Sequence, residues 1–194
     1  SAMADHKRLP PTQYIDVDHN VMINLSVETP MGGAAYNDQP DGGSCGGRVS
    51  RGGGEVGICY LSTKEYLGYF DPDKCYTYNT GGGYFQPAGA TLNANHECAG
   101  QYSGNFMNWA SMTAIDMFVW TMTGGNRVVD TATETVVERK RKQNNDSWFP
   151  HKYLNASDNV APSTVTPWSD SSIYIYNTDF GIRFGTSRGG TQKG

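Results

Sequence analysis

Between Ser103 and Thr123 apolar side chains recur at helical spacing more densely than anywhere else in the chain. Phe106, Trp109, Ala110, Thr113, Met117 and Trp120 follow one another at three- and four-residue steps, the repeat of one helix face. Met107, Ala114 and Phe118 make a second row, and Met112, Ile115 and Val119 a third. A helix apolar nearly all round is buried on more than one side. The pattern predicts a buried central helix over about 104–123, roughly 27 Å long at 1.5 Å per residue. Gly124-Gly125 supplies its stop. Asn108, Ser111, Asp116 and the threonines interrupt the run and no basic residues flank it closely, which argues against a membrane span. Met107, Met112, Met117 and Met122 are expected in the core.

Shorter periods predict the remaining elements. Val21-Met-Ile-Asn-Leu25 suits a buried strand, and Gly57–Phe70 is a candidate strand region. Asp71-Pro-Asp73 is a turn signal. Cys75–Tyr78 and Tyr84-Phe85 flank Gly81-Gly-Gly83 and read as a hairpin. Asp130-Thr-Ala-Thr-Glu134 fits a capping box and predicts a second helix that ends in the basic run Arg139–Lys142 as a solvated terminus. Ile173–Tyr176 and Phe180–Phe184 alternate around Asn177-Thr-Asp179 and read as a hairpin or two edge strands. Pro30–Gly54 is too rich in glycine for a regular element.

Composition narrows the class. A chain of 194 residues with 12% aromatic content is an ordered domain with long loops, since 24 of its residues are glycine. A net charge of -4 leaves no basic footprint for nucleic acid. Residues 1–13 read as a tag remnant and loose leader, 14–187 as one domain with a loop-rich insertion at 31–98, and 188–194 as a tail or cut linker.

Candidate chemistry is sparse. Cys45, Cys59, Cys75 and Cys98 form no Cys-x-x-Cys pair, and an even count in glycine-rich surroundings points to two disulfides in an oxidising compartment. Three connectivities are open, of which sequential pairing closes the shortest loops; the alternative is four free thiols. Glu28, Asp38 and Asp41 are weak candidates for a hard cation such as calcium, without the spacing of an EF-hand. Tyr76, Tyr78, Tyr84 and Phe85 are weak binding candidates within an aromatic belt that otherwise covers the helix. His96-Glu-Cys98 places potential ligands on adjacent residues, which rarely converge on one metal. Asp116 is expected to be a satisfied structural carboxylate, bonded to backbone or to Arg127. No nucleophile elbow, phosphate loop or His-Glu-x-x-His motif occurs, so no enzyme is expected.

From Tyr66 to about Trp148 the chain resembles the N-terminal region of the PilC/PilY family of type IV pilus tip-associated proteins. The likeness rests on Tyr69-Phe-Asp71, Lys74–Tyr78, Phe85-x-Pro87, Cys98, Ser103–Trp109, Met112-Thr113, Ile115-Asp116, Gly124-Gly-x-Arg127, Asp130-Thr131 and Thr135–Arg139, with Ala35-Tyr-Asn-Asp38 extending it back to about Val21. The resemblance implies an extracellular or outer-membrane-surface protein of a Gram-negative bacterium, located at the pilus tip. It implies adhesion and pilus biogenesis, with minor pilins or a host or surface ligand as partners and a C-terminal β-propeller absent from this chain. The other readings are a purely structural assembly factor and a carbohydrate-acting enzyme. The implied fold is α/β, a divergent von Willebrand factor A-like sheet with the buried central helix, a disulfide-stapled insertion and C-terminal strands. In that alignment the metal-site positions of such a domain fall on Ser26, Glu28 and Pro30.

Overall fold

The computed structural model describes residues 28–36, 60–140, 149, 151–157 and 160–186. The predicted strand at Val21–Leu25, Asp38, Asp41, Cys45 and Cys59 lie outside the described residues. Strands β1 (Lys74–Asn79), β2 (Tyr84–Ala90) and β3 (Tyr102–Ser103) precede helices α1 (Gly104–Ser111) and α2 (Ala114–Thr123). Strands β4 (Asn126–Asp130), β5 (Thr135–Glu138), β6 (Lys152–Asn155), β7 (Ser172–Asn177) and β8 (Ile182–Gly185) follow. They form three small sheets, ordered β2-β1-β3, β4-β5 and β6-β7-β8. Every strand pair among the described residues is antiparallel, and β1-β2, β4-β5 and β7-β8 are joined by short turns. The mixed α/β class holds, whereas a von Willebrand factor A-like sheet does not appear among these residues. Parallel pairing needs long crossovers, and consecutive strands here mostly fold back directly.

The stretch expected as one central helix is two. Met112 and Thr113 are extended, and Thr113 starts α2 with a capping box: its hydroxyl accepts Asp116 N–H at 3.0 Å, and Asp116 accepts Thr113 N–H at 3.2 Å. The peptide groups freed by the break are not left bare. Ala35 N–H donates to Met112 O at 2.9 Å, Ala114 N–H donates to Gly33 O at 3.0 Å, and Ala34 bridges Thr113. A strap over residues 28–36 therefore crosses the break, starting with a single 3-10 turn at Thr29–Gly32. Gly124, in the left-handed region at φ 78°, ends α2 as expected.

Burial divides the two helices. All eight residues of α1 are buried, whereas α2 buries only Asp116. Of the methionines expected inside, Met107 and Met112 are in the core, Met117 is half-buried and Met122 is 48% exposed. Phe106, Met107, Trp109 and Ala110 lie between Tyr60, Tyr66, Tyr76 and Tyr102 and the inner residues Leu154, Ile173, Ile175 and Phe184 of the C-terminal sheet. Burying one such side chain contributes about 1.5–3 kcal/mol.

Two asparagines explain how a helix packs against irregular chain. Asn108 Oδ1 accepts Phe70 N–H at 3.0 Å, and its amide donates to Tyr66 O and Phe70 O, each at 2.7 Å. One turn earlier, Asn105 accepts Tyr66 N–H at 2.6 Å and donates to Lys64 O at 2.9 Å and to Tyr60 Oη at 3.1 Å. Residues 60–70 contain no strand, contrary to expectation, because these side chains take the bonds that a neighbouring strand would supply. The approach is close: a Cβ on Gly68 would lie 2.5 Å from Asn108 Oδ1, and one on Gly104 would overlap the Asp71 carbonyl.

The second predicted helix is instead the β4-β5 hairpin. Thr131 N–H donates to Glu134 O at 2.8 Å and Glu134 N–H to Thr131 Oγ1 at 3.0 Å, so the capping-box pair closes a turn. Val128, Val129, Val136 and Val137 favour the flanking strands. Arg139, expected to be solvated, is buried against the C-terminal sheet.

Candidate functional site

The β1-β2 hairpin carries the four aromatic candidates: Tyr76 and Tyr78, two residues apart, share one face with Phe85, and Tyr84 lies on the other. Its turn is set by Asn79, which accepts Gly83 N–H at its carbonyl (2.7 Å) and Gly82 N–H at its side chain (2.9 Å), with Gly83 at φ 75°. Tyr76 pairs with Pro87, and Tyr78 with Phe85. Tyr76 is 7% exposed, and its Oη accepts Asp71 N–H at 2.8 Å, so it belongs to the core. Tyr84 donates to Glu134 Oε1 at 2.9 Å, and this bond beside a carboxylate raises its phenol pKa. Tyr78 is 47% exposed, and its ring lies 4.9 Å from the half-buried ring of Phe85. Tyr78 and Phe85 are thus the two candidates that offer a surface.

That surface is rigidly backed. Phe85 lies 5.7 Å from Phe70 and 5.1 Å from Tyr102, both edge-to-face; Tyr102 meets Trp168 at 5.6 Å, and Trp168 meets Phe184 at 4.9 Å. Offset and edge-on pairs of this kind add about 0.5–1.5 kcal/mol each beyond burial. Burial pushes the Tyr102 phenol up to about 12, so the row is uncharged at neutral pH. Such an arrangement presents a fixed apolar ring with a phenolic hydroxyl at its edge, which suits recognition.

Cys75 of β1 is bonded to Cys98, closing the hairpin and the loop after it over a separation of 23 residues. Each cysteine is nearly inaccessible, at 2% and 1% exposure. On the chain-entropy model a loop of this size contributes about 3 kcal/mol. Cys98 N–H donates to Thr164 O at 2.7 Å, and Ser103 N–H to Val165 O at 2.9 Å, which ties the loop to the C-terminal half. His96 lies in this loop at φ 57°, with Nδ1 donating to Ser62 O at 2.9 Å. Its neighbours Glu97 and Cys98 turn to Asn93 and Cys75, so the three do not converge.

A second cluster, buried, is not legible as a site in the sequence. Asp116 accepts from Tyr69 Oη (2.9 Å), Lys140 N–H (2.6 Å) and Thr113 Oγ1 (2.7 Å), with Arg139 Nε 3.8 Å away; Arg127, the expected partner, pairs with Asp130 at 2.9 Å. Arg139 Nη1 donates to Asn177 Oδ1 and to Gly181 O. Burial lowers the Arg139 pKa, and Asp116 opposes that shift. Lys152 is fully buried: Nζ donates to Trp109 O and to Tyr36 O (3.0 Å) and lies over the rings of Trp109 (4.6 Å) and Phe149 (5.5 Å). Burial first, and Arg139 second, hold its pKa well below the ordinary lysine value. These groups clamp α1, α2, the strap and the C-terminal sheet together, although Arg139 Nε and Nη2 are buried without a hydrogen-bond partner among the described residues.

Among the described residues no group of three His, Cys, Asp or Glu is placed to hold a metal. Glu28 is exposed, preceding the 3-10 turn without a side-chain cap bond. No helix among the described residues is long and apolar enough to cross a membrane.

Residues 58–193 match the model of a family described as PilY1 homolog, small alpha/beta domain. Two relatives from Xylella fastidiosa strain Temecula1 are each called type IV pilus biogenesis factor PilY1 homolog. One is 43% identical over 88 residues, covering 41% of this chain and 7% of the relative. The other is 32% identical over 138 residues, covering 70% of this chain and 9% of the relative. The chain thus spans less than a tenth of the length of these curated relatives. No solved structure matches. The order of elements from the Cys75–Cys98 hairpin through the C-terminal sheet falls within the matched span, and the chain belongs to the PilY1-homolog family.

Proposed function

We propose that this chain is a non-enzymatic interaction module that acts in type IV pilus biogenesis and adhesion from the cell surface, with Tyr78 and Phe85 at its contact surface. The observation that carries the reading is the selective exposure of the hairpin. Of four aromatic candidates Tyr76 and Tyr84 are bonded internally, while Tyr78 stands out from a braced row with Phe85 beneath it. The curated relatives are named as pilus biogenesis factors, which supports pilus components, the minor pilins first, as partners. A surface ligand is the partner on the adhesion side of the reading. In the second reading the chain is a purely structural assembly factor that contacts minor pilins alone.

The test is a pull-down and a titration of the purified chain against minor pilins and against an array of surface glycans and matrix proteins. Tyr78→Ala is expected to weaken binding about tenfold, as loss of an aromatic anchor does, with an unchanged melting temperature. Undiminished binding by Tyr78→Ala and Phe85→Ala would remove the hairpin from the interface. Binding to minor pilins with none on the array supports the assembly reading over adhesion.

A further inference from the structure

Lys152 is fully buried, and among the described residues no carboxylate lies beside it. Its Nζ donates to two carbonyls, Trp109 O of α1 and Tyr36 O of the strap, and faces the rings of Trp109 and Phe149. The charge that acts on it is that of Arg139, a second cation. Asp116, the buried carboxylate of α2, is paired with Arg139 instead. The remaining neighbours are neutral. Ile175, the partner of Lys152 on β7, is apolar. Burial raises the phenol of Tyr36 on the strap, and burial beside Asp116 raises that of Tyr69. Ring faces and carbonyl oxygens attract an ammonium. Lost hydration outweighs them where the group is dry and the next charge has the same sign. The site therefore accommodates the neutral amine better than the ammonium.

The enclosure of Nζ is uneven. Trp109 and Phe149 are nearly inaccessible and all of α1 is buried, whereas in the strap only Gly33 of residues 30–36 is buried. The strap is thus the thinnest wall and the route by which water reaches the amine. Few bonds hold it. Ala35 N–H donates to Met112 O and Ala114 N–H to Gly33 O; the Tyr36 hydroxyl donates to Leu67 O at 2.7 Å, and the Tyr36 ring stands edge-on to Tyr66 at 5.0 Å. Among these contacts and the bond from Lys152, the lysine's is the one that responds to pH below the range in which phenols ionise.

We propose that Lys152 is a charge-sensitive latch on the strap: as a neutral amine it pins Tyr36 to α1, and its protonation releases residues 28–36 from the helix break. In the closed form burial first, and Arg139 second, hold the lysine well below its ordinary value. Opening hydrates Nζ and returns it toward that value. The open form therefore binds more protons between the two values, and opening becomes easier as pH falls through that window, by about tenfold per pH unit for one proton. Because the strap bridges Met112 and Ala114, the joint between α1 and α2 is tight in alkali and loosened in acid.

Hydrogen exchange of the full chain tests the latch, corrected for intrinsic rates and read by mass spectrometry between about pH 7.5 and 9, above the range in which imidazoles titrate. Protection of the amides in residues 28–36 is expected to rise about tenfold per pH unit, while remaining well below that of Gly104–Ser111. In Lys152→Met it should not change with pH. Lys152→Gln, which keeps a donor for the two carbonyls without a titrating charge, should be equally flat and replaces the methionine variant if that one does not fold. Flat strap protection in the parent overturns the proposal, as does a slope that survives in either variant. Equal protection of the strap and α1 at every pH also overturns it, because Lys152 would then be exposed only by global unfolding.

Discussion

The two helices cut from one apolar stretch behave oppositely, and polar residues decide which is buried. Helix α1 is the more polar of the two, carrying Asn105, Asn108 and Ser111, yet all of it is buried. Helix α2 is nearly all apolar and buries only its single carboxylate. Apolar area drives burial, but an irregular partner segment exposes peptide groups that must be bonded. Asn105 and Asn108 supply those bonds to residues 60–70, so the irregular chain can lie on α1; α2 does this only at its start, where Asp116 accepts Lys140 N–H, while Thr121 and Thr123 further along bond back to its own carbonyls. The asparagines select where the chain packs, and the aromatic residues supply most of the energy once it does.

The largest effect that can break this contrast is truncation of a large side chain in each helix. Trp109 is 1% exposed and enclosed by Tyr60, Phe106 and Lys152, so Trp109→Ala is expected to cost about 3–5 kcal/mol. Phe118→Ala, from a half-buried position, is expected to cost less than half as much. Urea unfolding of both variants measures the difference; equal losses would mean that α2 is as enclosed as α1.

Next in size is Asn108→Ala. It leaves Phe70 N–H, Tyr66 O and Phe70 O without their partner, and three stranded groups in a buried setting are expected to cost about 2–3 kcal/mol. Asn108→Asp sharpens the test, since it keeps the acceptor for Phe70 N–H but turns a negative charge toward two carbonyls. It should be at least as destabilising at neutral pH and recover partly in acid, where the carboxyl becomes a donor.

Lys152 gives a pH-dependent contrast between the α1 surroundings and the exposed lysines. Burial lowers its pKa in the folded chain, so the unfolded chain binds more protons between the lowered value and the ordinary lysine value. Stability therefore rises with pH across that window and falls as pH drops through it. Tyr60 and Tyr102, pushed up to about 12, act in the opposite direction above the ordinary tyrosine value, so the measurement is confined to neutral through mildly alkaline pH. Lys152→Met is expected to flatten the rise, read as melting temperature against pH, whereas Lys74→Met, at an exposed lysine, should leave it unchanged.

Much of this architecture is legible in the sequence where turns are written in glycine and Asx residues. Gly81-Gly-Gly83 and Asn177-Thr-Asp179 mark hairpins that form as predicted. The helix break and the β4-β5 hairpin are not legible, because one signature serves both. Thr113-Ala-Ile-Asp116 starts a helix inside an apolar run, while Thr131-Ala-Thr-Glu134 closes a turn between valine-rich strands. Only the β-branched flanks distinguish them. At the candidate site, sequence groups Tyr76, Tyr78, Tyr84 and Phe85 together, and the pairing partners Asp71 and Glu134 decide which remain available. The buried roles of Arg139 and Lys152 are hidden in the sequence because their partners Asn177, Asp116 and Trp109 are distant in the chain.

The smallest expected effect isolates the break itself. Thr113→Ala removes the hydroxyl that accepts Asp116 N–H and donates to its carboxylate, while the strap's bonds to Met112 and Ala114 remain. Loss of an N-cap of this kind costs about 1 kcal/mol. Because the core around Trp109 is untouched, the loss should appear locally, as faster amide exchange in the first turn of α2 with α1 unaffected. Thr113→Ser, which keeps the hydroxyl, should restore most of the protection. If Thr113→Ala instead loosens α1 and α2 equally, the two helices unfold as one unit, and the break is a bend in a single element rather than a boundary between two.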